Sequence, residues 1–320
     1  MKMVLKWACA GLLLAFVPAV YPQAAPASQT NRKQERRAKR AKPAAQVIKP
    51  DYADLSYGPY PADKLDLWLA KSATPTPLVV FIHGGGFVAG DKGVASPVII
   101  RKALDAGVSF AAINYRFRTE VPIQVVLRDC ARAVQFLRYK AKEFNIDKTR
   151  VGAMGGSAGA GTSLWLAFHN DLADPKNPDP VLRESTRLTA AASTAGQATY
   201  DILRWEEYLG DAVARYTHEA DLPGFYGLKT MDQVRGPEGK KIRADVDMLG
   251  LITKDDSPVY LTASKRNEAL VSLGAVYHTP KQSVVVKQRC DQAGVPAVLK
   301  IVDDANPGGD GPIEFLLSHL

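Results

Sequence analysis

The segment Val151-Gly152-Ala153-Met154-Gly155-Gly156-Ser157-Ala158-Gly159-Ala160-Gly161 restricts the fold more than any other in this chain of 320 residues. A short apolar run reaches a serine set between glycines, and Thr162 to Phe168 then takes up helical spacing. The pattern is strand, sharp turn, helix. Gly155-x-Ser157-x-Gly159 fits a nucleophile elbow, in which a strained turn projects the serine hydroxyl from the end of a sheet. Small neighbours are required because strand and helix backbones nearly touch at such a turn and a Cβ would clash. The N–H of Ala158, at the start of the new helix, is placed to help hold a developing oxyanion. Taken alone, the motif also occurs as an ordinary tight turn.

A second stretch narrows the reading. Leu78-Val79-Val80-Phe81-Ile82 is a continuous apolar run, as expected of a strand buried on both faces, and it ends in His83-Gly84-Gly85-Gly86-Phe87. His-Gly-Gly-Gly followed some seventy residues later by Gly-Gly-Ser-Ala-Gly resembles the α/β-hydrolases of the hormone-sensitive-lipase and feruloyl-esterase-like branch. The resemblance runs from about Tyr57 to the C-terminus and is strong to about Leu188. It implies a mostly parallel central sheet with helices on both faces and a small cap-like insertion. It also implies that the glycine loop supplies oxyanion N–H groups at Gly85 and Gly86, and that His83 orients this loop and is not the catalytic base.

The net charge of +8 is confined to one end of the chain. Residues 1–42 hold nine basic residues and one acid, which account for the whole excess, so the remainder is neutral and has no basic field to draw it to nucleic acid. Lys2 and Lys6 precede the apolar run Trp7 to Val17, which gives way to Pro18 and then Ala25-Pro26-Ala27. Basic start, short apolar core and small-residue cleavage pattern read as a secretory signal peptide over 1–27, with an uncleaved anchor as the alternative. An exported protein, periplasmic or extracellular, is expected. Residues 28–50 are polar, basic and punctuated by Pro43 and Pro50, which predicts a disordered linker. Its 31–42 stretch is the candidate for weak contact with an anionic surface, against a merely solvated tether. Cys130 and Cys290 lie in helical patterns and are read as buried free thiols.

Along 51–320, apolar runs alternate with helical periodicity. Strands are expected at 65–69, 78–82, 108–116, 150–154, 188–194, 257–263 and 297–302. Helices are expected at 97–106, 125–144, after Ser157, over 283–293 and from Pro312. Such alternation means an α/β fold with a mostly parallel, doubly covered sheet, its site at the strand C-terminal ends. Arg116 and Asp129 are read as a structural ion pair in preference to active-site charges. Asp171, Asp174 and Asp179 lack the calcium-loop spacing. The irregular, aromatic-rich stretch at about 201–256 is, by the resemblance, the cap.

A serine hydroxyl becomes a good nucleophile only when an imidazole takes its proton, and a third group must orient that imidazole. Chain order in the resembling family is serine, acid, histidine, with the acid after the penultimate strand and the histidine after the last. Neither stands in its usual form here. Asp303-Asp304-Ala305-Asn306-Pro307-Gly308-Gly309-Asp310-Gly311 holds no histidine, and Ser264-Lys265-Arg266-Asn267-Glu268 holds no aspartate. His169 is about three turns from Ser157 along its helix, His218 sits in the cap, and His319 falls in the C-terminal helix. By elimination His278 is the best candidate for the base, with a structural or surface histidine as the alternative reading. Its acid is Glu268, which keeps the chain order, or else Asp303 or Asp304. The sequence therefore implies an exported serine hydrolase of small-molecule or carbohydrate esters, with Ser157, His278 and Glu268 as catalytic residues. Gly85, Gly86 and Ala158 would be the oxyanion donors, with no metal or organic cofactor. The rival is a hydrolase-like scaffold that has lost its base and binds a ligand or partner in the old pocket.

Overall fold

The structure, a computed structural model, describes residues 47–304, 307, 309 and 311–320. The expected signal peptide and the basic 31–42 stretch lie outside these residues. Eight strands form one sheet: β1 (Tyr52–Ser56), β2 (Lys64–Trp68), β3 (Thr76–Ile82), β4 (Ser109–Ile113), β5 (Ile146–Gly156), β6 (Ala190–Thr194), β7 (Val259–Ser264) and β8 (Ala297–Val302). Their spatial order is β1-β2-β4-β3-β5-β6-β7-β8. The pairs β1/β2 and β2/β4 are antiparallel and every other pair is parallel.

The central strands are apolar where they run through the middle of the sheet, as at 78–82 and 151–154, because both faces are covered there. Side chains of β3 alternate between the faces. Leu78, Val80 and Ile82 join one cluster with helices α2 (Ile123–Tyr139) and α3 (Ala158–Phe168), whereas Val79 joins a second with Phe110 and Met154. That second cluster is closed by α1 (Pro97–Asp105) and by Ile313 and Leu316 of the last helix. Proline at the first turn of α1 and left-handed Gly107 just beyond its end bound that helix as the sequence predicts.

Three boundaries differ from the sequence reading. Strand β1 has almost no buried side chain, so its pattern carried no hydrophobic alternation; it is an edge strand whose left-handed Asp54 breaks the register against β2. Residues 47–50 belong to the folded domain and not to a linker, since Trp68 Nε1 donates to the Ile48 carbonyl at 2.9 Å. Helix α2 stops at Tyr139, and Asn145, with φ of 53°, turns the chain into β5 at Ile146, four residues before the expected start.

Between β6 and β7 the chain leaves the sheet for a run of short helices: α4 (Glu206–Leu209), α5 (Ala212–Tyr216), α6 (Leu222–Tyr226), α7 (Met231–Arg235), α8 (Pro237–Asp245) and α9 (Met248–Leu251). None is long enough to be stable alone, so tertiary anchors hold them. Trp205 Nε1 donates to the Thr199 carbonyl at 2.9 Å, Tyr226 Oη donates to the Tyr200 carbonyl at 2.8 Å, and Arg243 pairs with Asp201 at 2.8 Å. After β7 come α10 (Leu273–His278), α11 (Pro280–Ala293), then β8 and α12 (Gly311–His319). Cys130 and Cys290 are buried free thiols.

Candidate active site

Strand β5 ends at Gly156 and α3 begins at Ala158, leaving Ser157 alone at the corner with φ 53° and ψ −118°. Such a conformation costs a non-glycine residue about 1–3 kcal/mol and persists only where surroundings enforce it. Here Ser157 N–H donates to the Thr194 carbonyl at 2.9 Å and Gly161 N–H to the Ser157 carbonyl at 3.0 Å. The glycines around the serine are spatial requirements. A Cβ on Gly155 would run into the Ile82 carbonyl and the Gly159 backbone, and one on Gly159 into the Ile82 and His83 carbonyls. The elbow is thus wedged against the end of β3, where the glycine loop starts.

His83 fixes that loop. Its Nδ1–H donates to the Gly84 carbonyl at 2.7 Å, Tyr115 Oη donates to the His83 carbonyl at 2.8 Å, and the two rings stack with centroids 4.3 Å apart. Burial pulls the His83 imidazole below its usual range, so the ring is a neutral structural piece. Gly85 and Gly86 have φ of 109° and 61°, the left-handed region that glycine enters without strain. Gly86 and Ala158 line one cavity with Ser157. Ala158 is the first residue of α3, whose leading N–H groups find no acceptor within the helix. Gly85 lies one residue outside that lining; its carbonyl accepts from Val88 and Ala89 and closes the turn.

His278 meets the serine: its Nε2 lies 2.8 Å from Ser157 Oγ. Its Nδ1 lies 2.9 Å from the Gly274 carbonyl, one turn earlier in α10. A carbonyl can only accept, so Nδ1 carries the proton and Nε2 is free to accept from the hydroxyl. Burial lowers the His278 pKa below the ordinary histidine value, while the Gly274 bond opposes the shift. The imidazole sits on the connection after β7, where the resembling family keeps its acid.

The expected acid is a correction. Glu268 follows the short turn at the end of β7, is exposed, and does not reach His278, whose Nδ1 is taken by a main-chain oxygen. Asp303 is exposed on the far loop and pairs with Lys265 at 3.4 Å. The other histidines stand apart from the serine hydroxyl. His169 Nε2 lies 3.1 Å from Asp245, His319 Nδ1 donates to the Phe315 carbonyl, and His218 stands at the cavity rim. Arg116 and Asp129 form a two-pronged pair at 2.8 and 2.7 Å, with the guanidinium over the Tyr60 ring, and take no part in the site. Sequence reasoning missed the Gly274 carbonyl, for which no side chain gives a signal.

The cavity at Ser157 has a volume of about 360 Å³. Phe87, Tyr200, Trp205 and Phe225 give it apolar walls, and Arg118, Asp221 and Tyr277 a polar rim. The cap supplies Trp205, Asp221 and Phe225. A larger hollow of about 640 Å³ lies beside α2, but it holds no nucleophile, and its Arg116, Arg128 and Arg132 are paired with Asp129, Asp245 and Asp179. Of the two, only the smaller cavity places a serine hydroxyl beside an imidazole.

Comparison with known proteins agrees with this geometry. Residues 65–214 match the BD-FAE family model. A probable isoprenylcysteine alpha-carbonyl methylesterase of Arabidopsis thaliana is 28% identical over 143 residues, 44% of this chain and 30% of that protein. A carboxylesterase of Mycobacterium tuberculosis is 31% identical over 91 residues, 28% of either chain. The alignments thus span less than a third of these relatives' lengths. Among solved structures, a truncated carbohydrate esterase from gut microbiota superposes with a TM-score of 0.63 at 19% identity, covering 84% of this chain and 95% of that one. An acetyl ester-xyloside bifunctional hydrolase from Caldicellulosiruptor lactoaceticus gives 0.59 at 21% identity, covering 80% and 86%. With its sheet order, serine elbow and glycine loop, the chain has the α/β-hydrolase fold, and over residues 65–214 it is similar to the feruloyl-esterase-like branch and its carboxylesterase relatives.

Proposed function

We propose that this protein is an exported serine hydrolase that cleaves carboxylic esters of small molecules or carbohydrates. The observation that carries the reading is the 2.8 Å contact of Ser157 Oγ with His278 Nε2, in a cavity that Gly86 and Ala158 also line. His278 takes the hydroxyl proton as Oγ attacks the ester carbonyl. The N–H groups of Ala158 and Gly86, in the loop shaped by Gly85, receive the negative charge that develops on the carbonyl oxygen. The imidazolium then gives its proton to the departing alcohol, leaving an acyl-Ser157 ester, and the same base activates water to release the acid.

Gly274 does part of a triad carboxylate's work: it fixes the tautomer and the ring plane, but as a neutral dipole it stabilises the imidazolium less than an anion does. A moderate turnover number is therefore expected. The apolar walls and polar rim suit a compact acyl group and a hydroxylated leaving group. The acetyl ester-xyloside hydrolase and carbohydrate esterase among the structural neighbours support that class. Export rests on the N-terminal signal pattern. A fluorophosphonate probe should label the wild type and not Ser157→Ala. A folded wild type that stays unlabelled and hydrolyses no p-nitrophenyl ester refutes the reading and leaves the binding scaffold in its place.

A further inference from the structure

In a triad the carboxylate comes from a separate element, and so ties the imidazole to the rest of the fold. Here the imidazole bonds to a carbonyl of its own helix, Gly274 being four residues before His278. That bond sets the ring relative to α10 and says nothing of where α10 stands. A helix of six residues has no stability of its own, and Ser272, whose Oγ accepts from Ala275 N–H at 3.1 Å, caps only its start. The placement of Nε2 on Ser157 must therefore be settled at the other end, where the last carbonyls lack helical partners.

Two buried glutamines meet those carbonyls. Gln197, on the loop after β6, donates Nε2 to the Tyr277 carbonyl at 3.0 Å. Gln282, in the first turn of α11 and fully buried, directs Nε2 to the Val276 carbonyl at 3.4 Å. Its Oε1 accepts from Ala198 N–H and from Tyr208 Oη, each at 2.9 Å. The β6 loop, the cap helix α4 and the start of α11 thus converge on the two residues that precede His278. A buried amide with all its partners satisfied is rigid, since any displacement strands a polar group without water.

We propose that Gln197 and Gln282 are positioning residues for His278, holding α10 by its final carbonyls and so supplying the tie to the fold that a triad carboxylate otherwise provides. The inference rests on the esterase reading for its kinetic consequence, and on geometry alone for its structural one. Arg118, Tyr200, Tyr216, His218, Asp221 and Tyr277 are the ionisable groups that line the cavity at Ser157, and none of them bonds to the His278 imidazole.

The test compares full-length wild type, Gln197→Ala and Gln282→Met with Gln135→Ala. Gln135 is equally buried and also bonds main-chain carbonyls, those of Leu182 and Glu184, but it lines no part of the Ser157 cavity. With p-nitrophenyl acetate across pH, both the Gln197 and the Gln282 variant should lose about 10- to 100-fold in kcat with KM within about twofold, the loss expected of a misplaced base. Their acid limb should move up towards the ordinary histidine value as the loosened imidazole hydrates. Gln135→Ala should alter thermal stability only. If Gln282→Met does not fold, Gln197→Ala carries the comparison. Retention of wild-type kcat and acid limb by the folded Gln197 and Gln282 variants, or an equal loss in Gln135→Ala, overturns the proposal. Imidazole 15N NMR reads the same point without turnover: Gln197→Ala should shift the His278 titration midpoint upwards. A wild type that hydrolyses no ester defeats the proposed function and leaves this readout standing, whereas an unmoved midpoint defeats the positioning role.

Discussion

Substituting Gly159 by alanine probes how tightly the elbow is wedged against the glycine loop. In an open helix the change would be favourable by about 1 kcal/mol. Here the new methyl carbon would stand 2.6 Å from the Ile82 carbonyl carbon and 2.7 Å from the His83 carbonyl oxygen, where ordinary contact begins at 3.4 Å. The Ile82 carbonyl oxygen lies nearer still, and all three neighbours are main chain, so α3 and the end of β3 must part by more than the roughly 0.8 Å that the Ile82 carbonyl carbon alone requires. Overpacking of this kind costs about 1–3 kcal/mol in stability. The movement also separates Ser157 and Ala158, on the α3 side, from Gly86, on the β3 side, and a misplacement of about 1 Å costs about 100-fold in rate. The expected outcome is a kcat 10- to 100-fold below wild type, with the urea midpoint lowered in proportion to the stability loss. Gly156→Ala, whose added carbon meets nothing within 4 Å, should unfold close to wild type and serves as the comparison. A Gly159→Ala enzyme with kcat within threefold of wild type and an unchanged unfolding midpoint refutes the argument from crowding.

Further outcomes follow from the base and its surroundings. His278→Ala should lower kcat/KM by about 10²–10⁴-fold, whereas Glu268→Gln should leave it within about twofold; a large loss in the second would mean that Glu268 reaches the imidazole during turnover. Because burial lowers the His278 pKa, the acid limb of kcat/KM should fall below about pH 6.5, the ordinary histidine value, and a limb above it contradicts the buried neutral base. The linked stability has the same sign. Between the lowered folded pKa and about 6.5 the unfolded chain binds more protons at this residue, so its contribution rises with pH across that window, as urea titrations of wild type and His278→Ala would read. Asp129→Ala strands the half-buried Arg116 guanidinium and should cost about 3–5 kcal/mol by urea unfolding; a loss below about 1 kcal/mol would show the pair to be dispensable.

Much of this fold was legible because its central strands are apolar on both faces and its turns are spelled by glycine. The runs at 78–82 and 151–156 mark β3 and β5, and the motifs that end them mark the two halves of the site. What stayed hidden lacked a side-chain signature. Strand β1 is an exposed edge whose residues need no alternation. His278 was reached by excluding four other histidines, but its partner is a carbonyl, and every residue has one. Glu268 was favoured because it follows β7 at a plausible interval; the chain instead bends into a short turn there and carries the carboxylate outwards, while α10 returns towards the serine. Gln197 and Gln282 are far apart in sequence and from residue 157, so only the closed fold brings them together.

The location of His278 also changes what the end of the chain is for. If His278 carries the proton, as proposed, it is lodged before α11, and the last strand and the turn that leaves it are released from chemistry. Strand β8 can serve as the sheet's outer border, and α12 as a lid over Met154 and Tyr260, pressed down by Ile313 and Leu316. On that reading, sequence drift there would be constrained by the fit of that lid, whereas drift between Ser272 and Gln282 would touch the reaction itself.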